Sequence, residues 1–197
     1  MIDLSNETIL YHGSYIAVPE IDLSFCNPGL DFGRGFYLTT SYEQAASFVV
    51  NSVKRNIRAG KIPKDFNVDD GCISIFKYHS NPVLRVELFQ EANLDWLHFV
   101  ATNRNHRLFP ELYDRLKDHD IIGGKIADDD TSRVLNAYVT GLYGVPGSDL
   151  ADAFTVQSLL PNRLEDQYCF RTDKAIMALE FLGSVCYGDY RKQKSNN

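Results

Sequence analysis

Two short segments of the sequence place polar groups beside glycine and aromatic rings, a combination suited to holding a flat heterocycle. The first, Tyr11–Ser14, ends a short apolar run; its glycine lets a ligand approach the backbone, while His12 and Ser14 supply side-chain hydrogen bonds. The second, Gly33–Tyr37, joins a glycine loop to an aromatic strand, where a ring can stack on a flat heterocycle. The alternatives are an ordinary turn at the first segment and core packing of the rings at the second.

A third segment and a further aromatic residue extend this pattern. Phe48 lies eleven residues after Tyr37, in a helix that the sequence predicts to begin near Ser41, so the two rings converge on one slot if the strand passes directly into the helix. Glu165–Phe170 places carboxylate and carboxamide groups at the start of another aromatic strand, where a side-chain acceptor can hold a ribose hydroxyl. Together the segments predict a cleft that sandwiches a flat ring such as nicotinamide.

In this order and spacing, the segments resemble the motifs of the ADP-ribosyltransferase superfamily. The resemblance is to its His-Tyr-Glu branch, of the diphtheria-toxin and poly(ADP-ribose)-polymerase type, and in particular to an uncharacterised bacterial family within it. It covers most of the chain and implies an α+β fold in which a split pair of mostly antiparallel β-sheets is flanked by helices. The matching residues are His12-Gly13-Ser14 in the first motif, Gly33-Arg34-Gly35-Phe36-Tyr37 in the second, Phe48 at the second aromatic position and Asp166-Gln167-Tyr168 in the third.

The resemblance implies NAD as the substrate and gives individual residues a role. By similarity, His12 bonds the adenosine-side ribose and the Gly13 backbone holds the nicotinamide carboxamide. Tyr37 and Phe48 stack on the nicotinamide ring, whose glycosidic bond breaks through an oxocarbenium-like state that depends on positioning and electrostatic stabilisation. The residues implied for NAD binding are His12, Gly13, Ser14, Arg34, Gly35, Tyr37 and Phe48, and those implied for catalysis are His12, Tyr37, Glu165 and Gln167.

The third motif departs from the family pattern, because Gln167 stands where the family has its catalytic glutamate. A carboxamide keeps the hydrogen bond to the ribose 2'-hydroxyl but loses the charge that stabilises a cation and activates a nucleophile. Glu165, two residues earlier and on the same face of a strand, is one candidate to restore that charge. The other is the cluster Asp128-Asp129-Asp130, for which the alternative is capping of the helix that follows.

Extension of an ADP-ribose polymer requires activation of a sugar hydroxyl, which a carboxamide does not favour. The sequence therefore predicts an NAD-dependent mono-ADP-ribosyltransferase that modifies a macromolecular acceptor, either protein or nucleic acid. Family analogy adds a bacterial toxin or effector with a possible antitoxin partner. Two alternatives stay open: an NAD glycohydrolase, in which water is the acceptor, and a catalytically silent NAD-binding or interaction module, which Gln167 favours.

Composition places the chain among globular proteins. With 44% hydrophobic and 23% charged residues and no apolar run long enough for a bilayer, we expect a soluble, cytoplasmic protein without membrane contact. The net charge of −6 argues against general binding to a phosphate backbone. No histidines pair at metal-ligand spacing, so no metal is expected. The four cysteines are expected to be buried free thiols: Cys26, Cys72, Cys169 and Cys186.

The predicted strands and helices do not alternate strictly, as a parallel sheet would require, so the sequence predicts an α+β fold with mostly antiparallel pairing. Length and polarity predict a single domain over residues 1–190 and a disordered tail over 191–197. Strands are predicted at 8–11, 35–39, 72–78, 83–88, 121–127, 168–171 and 183–187. A helix capped by Thr40 or Ser41 is predicted first, and further helices are predicted at 93–104, 131–142, 150–160 and 172–181.

Overall fold

The computed structural model describes residues 2–27, 29–126, 129–159 and 165–195. The strands are β1 (Ile9–Ser14), β2 (Phe36–Leu38), β3 (Cys72–Tyr78), β4 (Val86–Leu88), β5 (Ile121–Lys125), β6 (Asp166–Phe170) and β7 (Leu179–Cys186). The helices are α1 (Tyr42–Arg58), α2 (Leu94–Arg104), α3 (Pro110–Leu116), α4 (Asp129–Val139), α5 (Asp149–Ser158), α6 (Asp173–Ile176) and α7 (Tyr187–Ser195).

The chain divides into two compact units, each built from separate stretches of sequence. The first, called here the His12 unit, contains residues 4–21, 37–81 and 176–197. The second, called the Gln167 unit, contains residues 1–3, 22–36 and 82–175. Mixed strands and helices with mostly antiparallel sheets confirm the predicted α+β class.

The sheet of the His12 unit has β3 in its centre, with β1 and β7 antiparallel on either side. Side chains alternate between the two faces of a strand, and residues opposite each other share a face. Gly13 and Ile73 are opposite each other and face α1, which packs an apolar cluster that includes Val49 on that side. His12 therefore lies on the other face, opposite Ser74.

Helix α1 forms where the sequence predicts it, and its ends show why. The hydroxyl of Ser41 accepts a hydrogen bond from the Gln44 amide, which satisfies one of the free donors of the first turn. Glu43 in the first turn and Arg58 in the last complement the helix dipole. The buried side of the helix is apolar and covers one face of the sheet. These local signals fix the helix against β1 and β3.

The sheet of the Gln167 unit is mixed. Strand β5 pairs in parallel with β4 and antiparallel with β6, and β2, which begins at Phe36, lies beyond β6 in the strand order. Helix α2, predicted over 93–104, begins at Leu94, and the side chain of Asn93 caps it by accepting from the Trp96 amide. The stacked rings of Phe32, Phe89 and Phe99 fill the core. The indole of Trp96 donates to the Lys125 carbonyl at 3.1 Å.

The C-terminal region differs from the prediction. The expected helix at 172–181 is only the short helix α6, because β7 already begins at Leu179 and pairs with the central strand β3. Residues 191–195, expected to be disordered, continue helix α7. This end is held by ion pairs from Arg191 to Asp69 and from Lys194 to Glu43. In the part of the chain that the structure describes, no helix combines the length and apolarity needed to span a bilayer.

Candidate functional site

His12 is held in a defined orientation on β1. Its Nδ1 atom lies 2.8 Å from the main-chain carbonyl oxygen of Tyr37, which can only accept a hydrogen bond, so Nδ1 carries the hydrogen. Burial lowers the pKa of His12, the hydrogen bond to Tyr37 opposes that shift, and the charge of Arg55 adds to it. The imidazole is therefore neutral at pH 7, and in this tautomer its Nε2 atom is an acceptor.

Gly13 makes the closest approach between β1 and α1. A Cβ atom at this position would lie 1.8 Å from the carbonyl oxygen of Ala45 and 3.0 Å from the amide nitrogen of Val49. Only glycine permits this contact. Because Phe48 immediately precedes Val49, the contact fixes the helical turn that carries Phe48 against the strand that carries His12.

Tyr37 and Phe48, the two rings expected to stack on a ligand, both belong to the His12 unit and are both partly buried. Tyr37 lies in β2, and the chain just after it pairs with β1 through a bridge between Thr39 and Tyr11. Tyr37 therefore lies two residues before a residue that pairs with β1, and Phe48 lies on α1, which packs against β1. Their joint stacking on one ligand stays a prediction.

A row of hydroxyl groups accompanies His12 on its face of the sheet. Ser14 is buried two residues after His12, and Ser74 is fully buried opposite His12. The Ser74 hydroxyl accepts a hydrogen bond from the Val18 amide at 2.9 Å, which ties the segment after β1 to the sheet. Ser74 was not identified from the sequence. The available signal was its position in β3, where alternate side chains lie on the same face of the strand.

Gln167 belongs to the Gln167 unit, where it lies on β6 opposite Gly124. Only 6% of Gln167 is exposed. Gly124 is tightly surrounded, since a Cβ there would lie 2.9 Å from the ring of Phe32 and 3.0 Å from that of Trp96. Within the described residues, the Gln167 carboxamide makes no hydrogen bond, and its use by a ligand stays a prediction.

Glu165, the first candidate for the missing charge, precedes β6 and is exposed. Its carbonyl accepts from the Ile126 amide at 2.8 Å, which extends the pairing of β5 and β6 by one residue. Strand alternation puts its side chain on the face of Gln167, whereas Asp166 faces the other way and pairs with Lys125 at 2.8 Å. Glu165 therefore stays a candidate.

The aspartate cluster, the second candidate, is only partly within the described residues. Asp128 lies outside them, and Asp129 and Asp130 form the first residues of α4. Helix α4 thus begins two residues before the predicted start at Thr131. Across the described ranges, no three His, Cys, Asp or Glu side chains are grouped to hold a metal ion.

Gly35 and Arg34, the remaining predicted residues, lie in the Gln167 unit. A Cβ on Gly35 would lie 2.4 Å from the sulfur of Cys169 and 2.7 Å from the carbonyl oxygen of Phe170, so this glycine is required for packing against the end of β6. The Nε atom of Arg34 donates to the Leu23 carbonyl at 3.0 Å, and its guanidinium interacts electrostatically with the carboxylate of Asp22.

Arg34 also lines a surface cavity of about 620 Å³ that the sequence did not reveal. Lys117, His119 and Arg171 line the same cavity, together with Asp22 and Asp173. Arg171 donates from Nη1 to the Leu116 carbonyl at 2.8 Å, while its buried Nε has no partner within the described part of the chain. Its basic side chains suit an anionic group. The cavity could not be predicted from a sequence motif, because its residues come from separate segments of the chain.

Comparison with known proteins gives a match at the level of a family. The family model described as "Protein of unknown function (DUF3990)" matches residues 8–181. The match therefore includes all the predicted site residues, from His12 to Gln167. No curated protein and no solved structure matches the chain.

Proposed function

The chain belongs to the DUF3990 family, described as one of unknown function, and from its site we propose that it is an NAD-dependent mono-ADP-ribosyltransferase acting on a macromolecular acceptor. The observation that carries the proposal is the orientation of His12 by the Tyr37 carbonyl. A neutral imidazole held in this way presents an acceptor, and a ribose hydroxyl is a donor that it can bind. This agrees with the role that the sequence motif implies for His12.

The packing of Gly13 contributes by fixing the site, because α1 fills the space that a side chain at this position would need and is thereby held against β1. The binding of the nicotinamide carboxamide by the Gly13 main chain is proposed from the sequence motif alone. Tyr37 and Phe48 supply aromatic faces for the nicotinamide ring. The residues of the His12 unit thus account for the ribose and nicotinamide parts of NAD.

In the proposed reaction, the bond between the nicotinamide nitrogen and C1' of its ribose breaks. The electron pair leaves with nicotinamide, and the ADP-ribosyl group develops the positive charge of an oxocarbenium ion. A nucleophile on the acceptor then forms the new bond to C1', and a nucleophile that carries a proton loses it to water or a nearby base. The protein contributes by holding NAD in a reactive geometry and by stabilising the developing charge.

Gln167 sets the limits of this chemistry. Its carboxamide can accept a hydrogen bond from the ribose 2'-hydroxyl, but it brings no negative charge. We therefore propose transfer of a single ADP-ribose to a nucleophile that is already anionic or is activated by Glu165. Charge neutralisation of the NAD diphosphate is assigned to Arg34, whose side chain is exposed and whose Nε is anchored by the Leu23 carbonyl.

The neutral side chain at position 167 also supports two alternatives. An NAD glycohydrolase transfers ADP-ribose to water and needs no acceptor site. A silent module binds NAD and turns none of it over. Both are compatible with the orientation of His12, because that orientation concerns the binding of a sugar hydroxyl rather than the fate of ADP-ribose.

One experiment separates the three functions. The protein is incubated with NAD labelled in its adenine part and a cell lysate, nicotinamide release is measured, and labelled material is digested with protease or nuclease. A transferase releases nicotinamide and labels an acceptor whose class the digestion reveals. Nicotinamide release without labelling identifies a glycohydrolase, and NAD binding without release identifies a silent module.

Variants tie any activity to the site. We expect His12→Ala to abolish nicotinamide release. The matched control is His79→Ala, because His79 lies in the same unit but is exposed and pairs with Glu180. If His12→Ala retains full activity in a folded protein, the assignment of the site fails.

A further inference from the structure

Two cysteines that lie far apart in sequence are directly opposite each other on neighbouring strands of the sheet in the His12 unit. Cys72 on β3 is directly opposite Cys186 on the antiparallel strand β7. The Tyr187 amide donates to the Gly71 carbonyl at 2.7 Å, so this backbone bond joins the residues that flank the pair. Such flanking bonds define a non-hydrogen-bonded pair, in which Cα atoms are about 4.5 Å apart and side chains are at their closest.

This spacing suits a disulfide. Disulfide-bonded cysteines have Cα atoms roughly 4.4 to 6.8 Å apart, a range that includes the separation of a non-hydrogen-bonded pair. Both thiols are free, and because they are directly opposite they project from the same face of the sheet. Joining them requires no shift in strand register.

The two thiols differ in access. Cys186 lies on the edge strand and is exposed. The expectation that every cysteine is buried is therefore wrong: of the four free cysteines Cys169 is buried, and Cys26 and Cys72 are partly buried. Cys72 lies on the central strand and is partly buried; burial raises the pKa of its thiol, and the neighbouring Cys186 raises it further. An oxidant in solution therefore meets Cys186 first. The other cysteines, Cys26 and Cys169, belong to the Gln167 unit.

We propose that Cys72 and Cys186 are a site of reversible oxidation, at which a hydroperoxide converts the two thiols into a disulfide. With hydrogen peroxide, the Cys186 thiol loses its proton and its thiolate attacks one oxygen; the O–O bond breaks, hydroxide leaves and takes up that proton as water, and a sulfenic acid forms. The Cys72 thiol then loses its proton, its thiolate attacks the sulfenic sulfur, the S–S bond forms, and the hydroxide that leaves takes up the second proton as water. With hydrogen peroxide, two thiols and one peroxide give one disulfide and two water molecules.

The disulfide would join the central strand to the edge strand beside Ser14, which lies opposite Cys72 on the other side of β3. On this face of the sheet, the row of Ser14, Cys72 and Cys186 is next to the row of His12 and Ser74, so the cross-link would lie beside His12. The proposal rests on strand register and exposure and does not depend on the proposed function.

The test is oxidation of the full chain with hydrogen peroxide, followed by alkylation and peptide mapping without reduction. We expect a cross-linked peptide that contains Cys72 and Cys186, loss of two of the four thiols, and full recovery with a reducing agent. The double variant Cys26→Ser/Cys169→Ser should form the same cross-link. Cys72→Ser should leave a sulfenic acid on Cys186 that a dimedone probe traps.

Two outcomes would overturn the proposal. One is oxidation of Cys186 to sulfinic acid in the wild-type protein while Cys72 keeps its free thiol. The other is a cross-link that forms equally well in urea, with pairings to Cys26 and Cys169 as frequent as the expected one, because the folded register would then play no part.

Discussion

The Nδ1 atom of His12 and the carbonyl oxygen of Tyr37 are 2.8 Å apart, so the position of β2 determines which nitrogen of the imidazole is protonated. The first prediction concerns the pKa of this ring. We expect it to be below the ordinary value of 6.5, because burial disfavours the charged form. NMR titration of the imidazole signals measures it, and Arg55→Gln should raise it, since the charge of Arg55 lowers it.

The sign of the pH dependence follows from this direction. Below pH 6.5 the unfolded chain binds a proton at His12 that the folded protein does not. The free energy of unfolding therefore decreases as the pH is lowered from 6.5 to the lowered pKa of the folded protein. NAD binding through neutral Nε2 should hold above that pKa and be lost below it. The control is Arg58→Gln, one turn further along α1. A pKa above 6.5 would contradict the buried orientation.

The second prediction concerns Gly13. Gly13→Ala places a methyl group 1.8 Å from the Ala45 carbonyl oxygen, so strand and helix must move apart. We expect the free energy of unfolding to fall by about 2 kcal/mol or more, as in other overpacked cores, and denaturant unfolding measures it. Gly29→Ala is the control, because a Cβ there meets only the Asn27 side chain at 3.7 Å. Equal stability of both variants would refute the close contact.

The third prediction restores a charge at the third motif. Gln167→Glu should raise the rate of nicotinamide release by about tenfold or more, since a carboxylate can stabilise the developing positive charge. Gln157→Glu is the control, because it adds the same charge at an exposed position of the same unit. A reduced rate with unchanged NAD affinity would show that this site does not use a carboxylate at position 167.

The fourth prediction concerns Arg34. Arg34→Gln should weaken NAD binding by about tenfold, because a charge-assisted hydrogen bond to a phosphate is lost. Calorimetry with NAD measures the effect, and inorganic pyrophosphate tests whether the diphosphate alone is bound. Arg107→Gln, at an exposed position of the same unit, should leave affinity unchanged. Equal affinities for both variants would remove Arg34 from the site.

The sequence predicts best those elements whose signals are local. Helices α1 and α2 lie where they are predicted, because Ser41 and Asn93 each accept a hydrogen bond from an amide in the first turn of the helix that follows. Strand β3 has the predicted bounds, Cys72–Tyr78, since it combines β-rich residues with clear turns on both sides. Each of the three motifs is likewise a short contiguous segment, so its residues could be identified from the sequence.

The remainder depends on contacts between distant segments. Nothing near Leu179 marks the start of β7; its pairing with the central strand decides it. Arg191–Ser195 is helical although polar, because ion pairs and the packing of Tyr187 and Tyr190 fix α7 against the rest of the His12 unit. The cavity lined by Lys117 and its neighbours and the pairing of the two cysteines follow from topology in the same way.

The contact between Gly13 and Ala45 has a consequence for evolution. A backbone atom of α1 occupies the space where any side chain at position 13 would begin, so no substitution elsewhere in the side-chain core can compensate for a larger residue. Drift at this position is possible only if the helix is re-docked on the strand. In distant descendants of this chain, glycine at the matching position would therefore record that the strand and helix still cross as they do here, even after the polar residues beside it have changed.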